Sequence, residues 1–269
     1  MVVRDGGHGE APLEVLMVRR SLDAHFVGGA HVFPGGAVDA LDASSDAQAL
    51  CVGLDDAGAS RRLGVPSGGL AFWVAAIREC FEEAGILLAR RTADGAPVEM
   101  TEGAADRFCE HRRALNERRA TFLEVCRKEG IGPAAGDLRY FAHWITPEGS
   151  PRRYDTRFFV ACAPAGQTAI HDAGETISSQ WVRPADALAA HRAGVMELIL
   201  PTICNLEAIG RFTTSDALMD AAEAVHEVPV VLPRLVRGEG GTRVVLPGEP
   251  GYEKASPSAA GTAAGDGEP

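Results

Sequence analysis

Three carboxylates lie at helical spacing in the nonapeptide at 78–86, Arg-Glu-Cys-Phe-Glu-Glu-Ala-Gly-Ile. Residues three and four apart are neighbours on a helix, so Glu79, Glu82 and Glu83 are expected on one face. Like charges four apart cost an exposed helix about a few tenths of a kcal/mol. The cluster becomes favourable if it holds a hard cation such as Mg²⁺, which takes oxygen ligands. An ordinary acidic surface is the alternative interpretation of the nonapeptide taken alone.

The helix that carries these carboxylates is predicted to open near Leu70 and to end at Gly85, a residue suited to the left-handed position after a helix. At about 100° per residue, its apolar side chains gather on the side opposite the carboxylates. This apolar side comprises Trp73, Ile77, Cys80, Phe81, Ala84 and Leu88. The pattern predicts a helix packed on a core along one side and acidic along the other.

The other elements follow from apolar periodicity and from glycine turns. Strands are predicted at 1–5, 13–20, 138–145, 156–162 and 176–182, with a terminal hairpin from 228–236 and 242–246. Helices are predicted at 104–129, 185–192, 202–209 and 215–225. Residues 37–69 are rich in Ala, Asp, Ser and Gly and are expected to form a long connection with one short helix. Residues 251–269 have little to bury and are expected to be disordered.

Composition restricts the class of protein. The 269 residues carry a net charge of -11, which disfavours a nucleic-acid-coating protein and attraction to anionic membranes. Six cysteines are scattered without a CxxC pair, so reduced core thiols are expected rather than a zinc site or a disulfide framework. No apolar run is long enough to span a membrane, and the N-terminus lacks a signal-peptide pattern. A cytoplasmic enzyme is the expectation.

Two separated motifs resemble the halves of a Nudix box, the signature of the Nudix hydrolases. The first is Phe33-Pro34-Gly35-Gly36, and the second is the nonapeptide at 78–86. In the family, a glycine is followed after five residues by Glu, and after seven more by Arg-Glu-apolar-x-Glu-Glu-x-Gly-apolar. Here five residues after Gly36 comes Asp42, and residues 43–77 then separate it from Arg78. The sequence is therefore similar to a Nudix box split by an insertion of 28 residues.

The split resembles a Nudix branch that includes the peroxisomal coenzyme A diphosphatases of mammals. Further matches to that branch lie at 30–36, 144–147 and 151–159. The resemblance implies an α+β fold, a Nudix α/β/α sandwich with a mixed sheet, over a single domain at 1–250. Insertions are expected at about 43–69 and 90–136, where they either frame the pocket or mediate homodimerisation. The implied activity is hydrolysis of a small-molecule diphosphate with Mg²⁺ or Mn²⁺.

The family pattern also implies roles for individual residues. Glu79 and Glu83 are expected to be the principal metal ligands, and Glu82 a ligand or the catalytic base. Arg78 is expected to orient a neighbouring glutamate, and Gly35 and Gly36 to let backbone approach the metal and the substrate. Three further carboxylates are candidates for the site. Glu175 is expected to be a base, an extra ligand or an exposed loop residue. Asp42 has a shorter side chain than the Glu of the family pattern and so reaches the metal less readily, and Asp39 is an auxiliary carboxylate.

Arginines and histidines supply secondary candidates. Arg153 and Arg157, with Arg152, bracket a strand and could clamp phosphate oxygens, although alternate residues on a strand face opposite sides. A second basic group comprises Arg112, Arg113, Arg118 and Arg119, which are expected to form a solvated face or to meet the 3′-phosphate of coenzyme A. The histidines expected in core or turn positions are His25, His31 and His143.

The substrate is the least determined feature. Coenzyme A-cleaving Nudix enzymes carry an upstream pattern in which Arg precedes Gly, three residues and Phe-Pro-Gly-Gly; Gly29 and the segment at 33–36 fit it, but His25 stands where Arg is expected. Coenzyme A or acyl-coenzyme A is the first expectation. Alternatives are a nucleotide sugar, ADP-ribose or a dinucleotide, or a Nudix-fold sensor that binds such a ligand without cleaving it.

Overall fold

The computed structural model describes residues 1–6, 12–22, 28–171, 176–238 and 241–253. The chain forms two compact units. The first comprises Met1–Phe141 and Phe159–Glu227, and the second comprises Ala142–Phe158 with the described part of Val228–Pro269. Each unit is considered by itself below.

A mixed sheet forms the centre of the first unit. Its strands are β1 (Val2–Asp5), β2 (Leu13–Arg20), β3 (His31–Val32), β6 (Arg139–Ile145, up to Phe141), β7 (Asp155–Cys162, from Phe159) and β8 (Thr176–Val182). Strand β2 pairs antiparallel with β1, β3 and β8, and β1 pairs parallel with β7. Consecutive residues Val15 to Val18 of β2 are fully buried, so both faces of the sheet are covered, as in a sandwich with helices on each side.

Eight helices accompany the sheet within the described residues. They are α1 (Ser45–Leu50), α2 (Asp56–Leu63), α3 (Leu70–Ala84), α4 (Glu102–Asn116), α5 (Phe122–Glu129), α6 (Pro184–Arg192), α7 (Leu200–Ile209) and α8 (Ser215–Glu223). Two short strands, β4 (Ala89–Arg91) and β5 (Ile131–Pro133), pair antiparallel. None of the helices in the described ranges combines the length and apolarity required of a membrane span.

The long connection after β3 is more ordered than the sequence predicted. It contains a 3-10 turn at Ala40–Ala43 and both α1 and α2, where one short helix was expected. Side chains of Asp39, Ser44 and Asp55 accept hydrogen bonds from the first backbone N–H groups of these three elements. Ser and Asp are preferred N-cap residues, so these positions in the sequence already indicated where the short helices begin.

One long helix at 104–129 was also expected, and the structure divides it into α4 and α5. Arg118 has a positive φ of 56°, which interrupts the helix between the two. Thr121 then opens α5 through a capping box with Glu124, in which each side chain bonds the other residue's backbone N–H. The apolar periodicity continued across the break, which is why it concealed the new helix start.

Helix α3 is the best-buried helix of the first unit. The ring of Trp73 is fully buried, with its centroid 4.6 Å from that of Phe159. The ring of Phe81 lies 6.3 Å from those of both Phe108 and Phe122. The helix ends where predicted, at Gly85 with φ of 70°. These aromatic contacts fix α3 against β7 on one side and against α4 and α5 on another.

The N-terminus of α3 is capped from the inserted segment. Gly69 at the N-cap position has no side chain to offer, and Asp56 of α2 accepts hydrogen bonds from the N–H groups of Leu70 (3.0 Å) and Gly68 (2.9 Å). Gly69 donates to the hydroxyl of Ser60 at 2.9 Å. A Cβ on Gly69 would lie 2.5 Å from the Ser60 backbone nitrogen, so α2 and the start of α3 are in close backbone contact.

The second unit is built on short strands. β10 (Arg234–Gly238) and β11 (Gly241–Val245) form the predicted hairpin, and β9 (Val230–Val231) pairs parallel with His143 and Trp144. Tyr252 lies under the guanidinium of Arg234 and donates its hydroxyl to the carbonyl of Leu232. Residues 251–253, which were placed in a disordered tail, thus form a turn here. The rest of that segment, 254–269, lies outside the described residues.

Candidate active site on helix α3

The three carboxylates of α3 differ in exposure. The side chain of Glu82 is 24% exposed and that of Glu79 is 14% exposed, whereas Glu83 as a residue is only 5% exposed. The helical wheel placed all three on the side of α3 opposite its apolar residues, and there the glycine turn covers Glu83. A buried carboxylate is costly unless it is hydrogen-bonded, so its partners matter.

The glycine turn lies directly against two of these carboxylates. The backbone N–H of Gly35 donates to Oε2 of Glu83 at 2.9 Å. A Cβ added to Gly36 would lie 2.4 to 2.6 Å from the carboxylate atoms of Glu79, so any side chain at this position would have to displace that carboxylate. The two halves of the split motif, separated by the insertion, are therefore adjacent in space. This is the juxtaposition that the sequence predicted.

Arg78 connects the carboxylates to one another. Its Nη1 donates to Glu79 at 2.8 Å and to Glu82 at 3.0 Å, and its Nη2 donates to the carbonyl of Ala37. Burial alone would lower the pKa of Arg78, but the hydrogen-bonded carboxylate of Asp42 and the charges of Glu79 and Glu82 raise it. Arg78 therefore stays positively charged and holds both glutamates in place, which is the orienting geometry expected from the sequence.

Asp42 is the main anchor of Arg78. Its two oxygens accept from Nε and Nη2 of Arg78 at 3.0 and 2.9 Å, and Oδ2 also accepts from the backbone N–H of Asp39 at 2.7 Å. The side chain is 3% exposed. Asp42 therefore holds the guanidinium of Arg78 in place and also forms half of the capping box that opens the 3-10 turn. Asp39 contributes the other half of that capping box, with its carboxylate on the N–H of Ala40.

The base candidate Glu175 lies outside the described residues, so its assigned role stays a prediction. The residue after it, Thr176, is fully buried and donates its hydroxyl to the carbonyl of Glu83 at 3.3 Å. Thr176 thus ties the start of β8 to the end of α3. No sequence pattern predicted this contact, because a threonine that begins a strand has no distinctive signature.

Two arginines proposed for phosphate binding belong to the second unit. Arg153 donates to the carbonyl of Thr146 at 3.1 Å, and Arg157, in β7, donates to the carboxylate of Asp155 at 3.2 Å. Asp155 also pairs closely with Nε2 of His143. Arg152 donates to the hydroxyl of Tyr154 at 3.5 Å. These contacts hold the connection between β6 and β7, and the phosphate-binding role of Arg153 and Arg157 stays a prediction.

The basic group on α4 is not a uniform solvated face. Arg112 is 8% exposed, and its Nε donates to the carbonyl of Glu82 at 2.9 Å, so the expectation of a solvent-facing side chain is wrong for this residue. A cation near the C-terminus of a helix interacts favourably with its unpaired carbonyls. The three that are exposed as predicted are Arg113, Arg118 and Arg119. His31 is half-buried in β3, and His25 lies outside the described residues.

All six cysteines are free thiols, in agreement with the absence of a disulfide framework. Burial raises the pKa of the Cys51, Cys80 and Cys126 thiols to about 12, so all three are unreactive; Cys80 and Cys126 lie in the core, and Cys51 is half-buried. Cys109 and Cys162 are exposed, which corrects the expectation that all six lie in the core.

The donor set fits a hard divalent cation. Carboxylate oxygens of Glu79 and Glu83 lie beside a turn that has no side chain at Gly36 to obstruct an ion or a phosphate. Within the described ranges, no group of three or more His, Cys, Asp and Glu is preformed as a metal cluster. Mg²⁺ characteristically uses one or two carboxylates and completes its shell with water and substrate phosphates, so two carboxylates at an open turn suffice.

Comparison with known proteins gives a consistent family. Residues 55–209 match the family described as NUDT19 Nudix domain. The acyl-coenzyme A diphosphatase NUDT19 of Gallus gallus is 29% identical over 91% of this chain and 74% of its own length. The human protein of the same name is 28% identical over 88% of this chain and 72% of its length.

A solved structure shares the fold. The crystal structure of a NUDIX hydrolase from Alicyclobacillus acidocaldarius aligns with a TM-score of 0.62 and 27% identity, covering 81% of this chain and 92% of that one. The family match spans more than half of the chain and includes the carboxylates of α3. The chain therefore belongs to the Nudix hydrolases, in the branch of the NUDT19 coenzyme A diphosphatases, and is an enzyme of that family.

Proposed function

We propose that this protein is a divalent-metal-dependent hydrolase of a diphosphate bond in coenzyme A or acyl-coenzyme A. The observation that carries the proposal is the placement of the Gly35–Gly36 turn against Glu79 and Glu83 of α3. The names of the chicken and human relatives support the substrate class. A diphosphate is anionic, and the net charge of -11 makes local charge neutralisation necessary.

Mg²⁺ or Mn²⁺ would be held by Glu79 and Glu83, with Glu82 as a further ligand or the base. When bound, the cation would supply positive charge against the diphosphate oxygens and the leaving group. The chain's own contribution is placement. Gly35 fixes one oxygen of Glu83, and Arg78 fixes one oxygen each of Glu79 and Glu82.

Proton transfer is assigned to the same face. Glu82 is the most exposed of the three carboxylates, so it is the one best placed to accept a proton from an attacking water. Glu175 is the alternative base. Arg78 is already hydrogen-bonded to Asp42, so its role is to hold the glutamate carboxylates and not to bind the substrate.

The test is turnover by purified protein with Mg²⁺ against coenzyme A, acyl-coenzyme A, ADP-ribose, nucleotide sugars and diadenosine polyphosphates, with chromatographic detection of products. We expect cleavage of coenzyme A compounds into two phosphate-bearing products. Glu82→Gln should lose activity, whereas Glu207→Gln, a change at an exposed position of α7, should not. Preferred cleavage of a nucleotide sugar, ADP-ribose or a dinucleotide would replace the substrate. Binding without cleavage of any compound would favour a sensor.

A further inference from the structure

A cavity of about 120 Å³ opens beside the C-terminal end of α3, within the first unit. Its walls are largely apolar, and they come from three segments: Phe81 and Gly85 of α3, Phe108 and Cys109 of α4, and the loop that includes Ile170. Apart from the 3′-phosphate contact considered for Arg112, none of the roles assigned above uses this cavity. We infer that it binds the acyl end of an acyl-coenzyme A substrate, an inference that rests on the proposed function.

The cavity is preformed, because its walls are hydrogen-bonded to the end of α3 and to the segment that follows it. Gln167 exchanges two hydrogen bonds with the backbone of Leu87, at 2.8 and 3.0 Å, and the N–H of Ile170 donates to the carbonyl of Ala84. On the other side, the rings of Phe81 and Phe108 pack edge to face. A rigid apolar cavity gains affinity because little ordering is required when a ligand enters.

One residue joins this cavity to the proposed reaction site. The carboxylate of Glu82 accepts from Arg78, while its carbonyl accepts from Arg112, which lines the cavity. The two sites therefore lie on different sides of the same helical turn, and a helix is about 10 Å across. The pantetheine arm of coenzyme A has about a dozen bonded atoms between diphosphate and thioester, enough to reach about 15 Å when extended.

The volume of the cavity predicts the length of the acyl chain that it can hold. A cavity of about 150 Å³ holds the six carbons of benzene, so this one has room for roughly five carbons. Cys109 and Ile170 are exposed at its rim, so a longer chain would continue into solvent. Each buried methylene adds up to about fourfold in binding, so the gain should grow over the first carbons and then stop.

The experiment compares kcat/KM for acetyl-, butyryl-, hexanoyl- and octanoyl-coenzyme A. We expect a rise of at least about tenfold from acetyl to hexanoyl and little change from hexanoyl to octanoyl. Ala105→Phe adds a ring at a half-buried cavity position of α4 and should bring the hexanoyl-to-acetyl ratio close to one. Ala114→Phe, at a half-buried position on the opposite side of α4, is the matched control and should keep the wild-type ratio.

A second measurement needs no turnover. In metal-free buffer, N-ethylmaleimide labels the two exposed thiols, and peptide mass spectrometry reports each separately. Hexanoyl-coenzyme A should slow the labelling of Cys109 more than acetyl-coenzyme A does, and should leave Cys162 unaffected. Equal kcat/KM for all chain lengths together with unprotected Cys109 would overturn the inference while the proposed function stands. If no coenzyme A compound is cleaved, the proposed function fails. The labelling of Cys109 then shows by itself whether the cavity binds an acyl chain.

Discussion

Replacement of Asp42 by Ala should destabilise the protein and slow its reaction together. Asp42 and Arg78 form a two-bond ion pair in which the side chains are 3% and 12% exposed. Breaking a buried pair by removing one partner costs about 3–5 kcal/mol, and the lower end applies here because Glu79 and Glu82 still face the Arg78 charge. For a chain of this size, that cost corresponds to a fall in Tm of roughly 10 °C.

The same substitution releases the orientation of the carboxylates, since Arg78 also holds Glu79 and Glu82. Loss of a residue that orients a metal ligand typically costs about 10- to 100-fold, which is the expected fall in kcat of Asp42→Ala. Asp42→Glu keeps the charge at the price of one extra methylene, so it should recover most of the activity while remaining about 1–3 kcal/mol less stable.

Calorimetry or thermal unfolding gives the first quantity, and Mg²⁺-dependent product release gives the second. The matched control is Asp94→Ala, which removes an aspartate paired with Arg91 at the surface, where both side chains are about half exposed. This control should keep the wild-type Tm and kcat, since exposed pairs contribute little. A wild-type Tm and kcat for Asp42→Ala would refute the reasoning that the pair supports the site.

Three further predictions follow from the same contacts. Glu82→Gln should lower kcat by at least about a hundredfold, the scale for losing an acid–base or electrostatic group, with Tm nearly unchanged; full turnover would remove Glu82 from the reaction. Gly36→Ala should displace the Glu79 carboxylate, a flexible group, so activity should fall about a hundredfold while unfolding changes by less than about 1 kcal/mol, and a normal kcat would contradict the close approach. Hydrogen bonds from the N–H groups of Leu70 and the adjacent turn lower the pKa of Asp56, so its contribution is complete above the ordinary value of 3.8 and is lost as pH falls through the lowered value. Asp56→Ala should therefore cost about 0.5–2 kcal/mol at neutral pH and flatten the acid side of the stability curve, as measured by urea unfolding between pH 2 and pH 7.

Local sequence pattern was sufficient for the elements that carry the site. The apolar run of β2, the aromatic spacing of α3 and its end at Gly85 were all predicted, because each depends on residues within a few turns of one another. The split motif also predicted that Gly35 and Gly36 would meet the carboxylates. That prediction came from resemblance to a family, since nothing local relates the turn to the helix across the insertion.

Only the tertiary structure decided how the carboxylates are held. The burial of Glu83, the pairing of Asp42 with Arg78 and the capping of α3 by Asp56 all join residues that are distant in sequence. Periodicity reports which side of a helix is apolar, but it cannot report which distant element covers the other side. For that reason the wheel could not show that Glu83 is buried, with its carboxylate bonded by the N–H of Gly35 and its backbone carbonyl by the hydroxyl of Thr176.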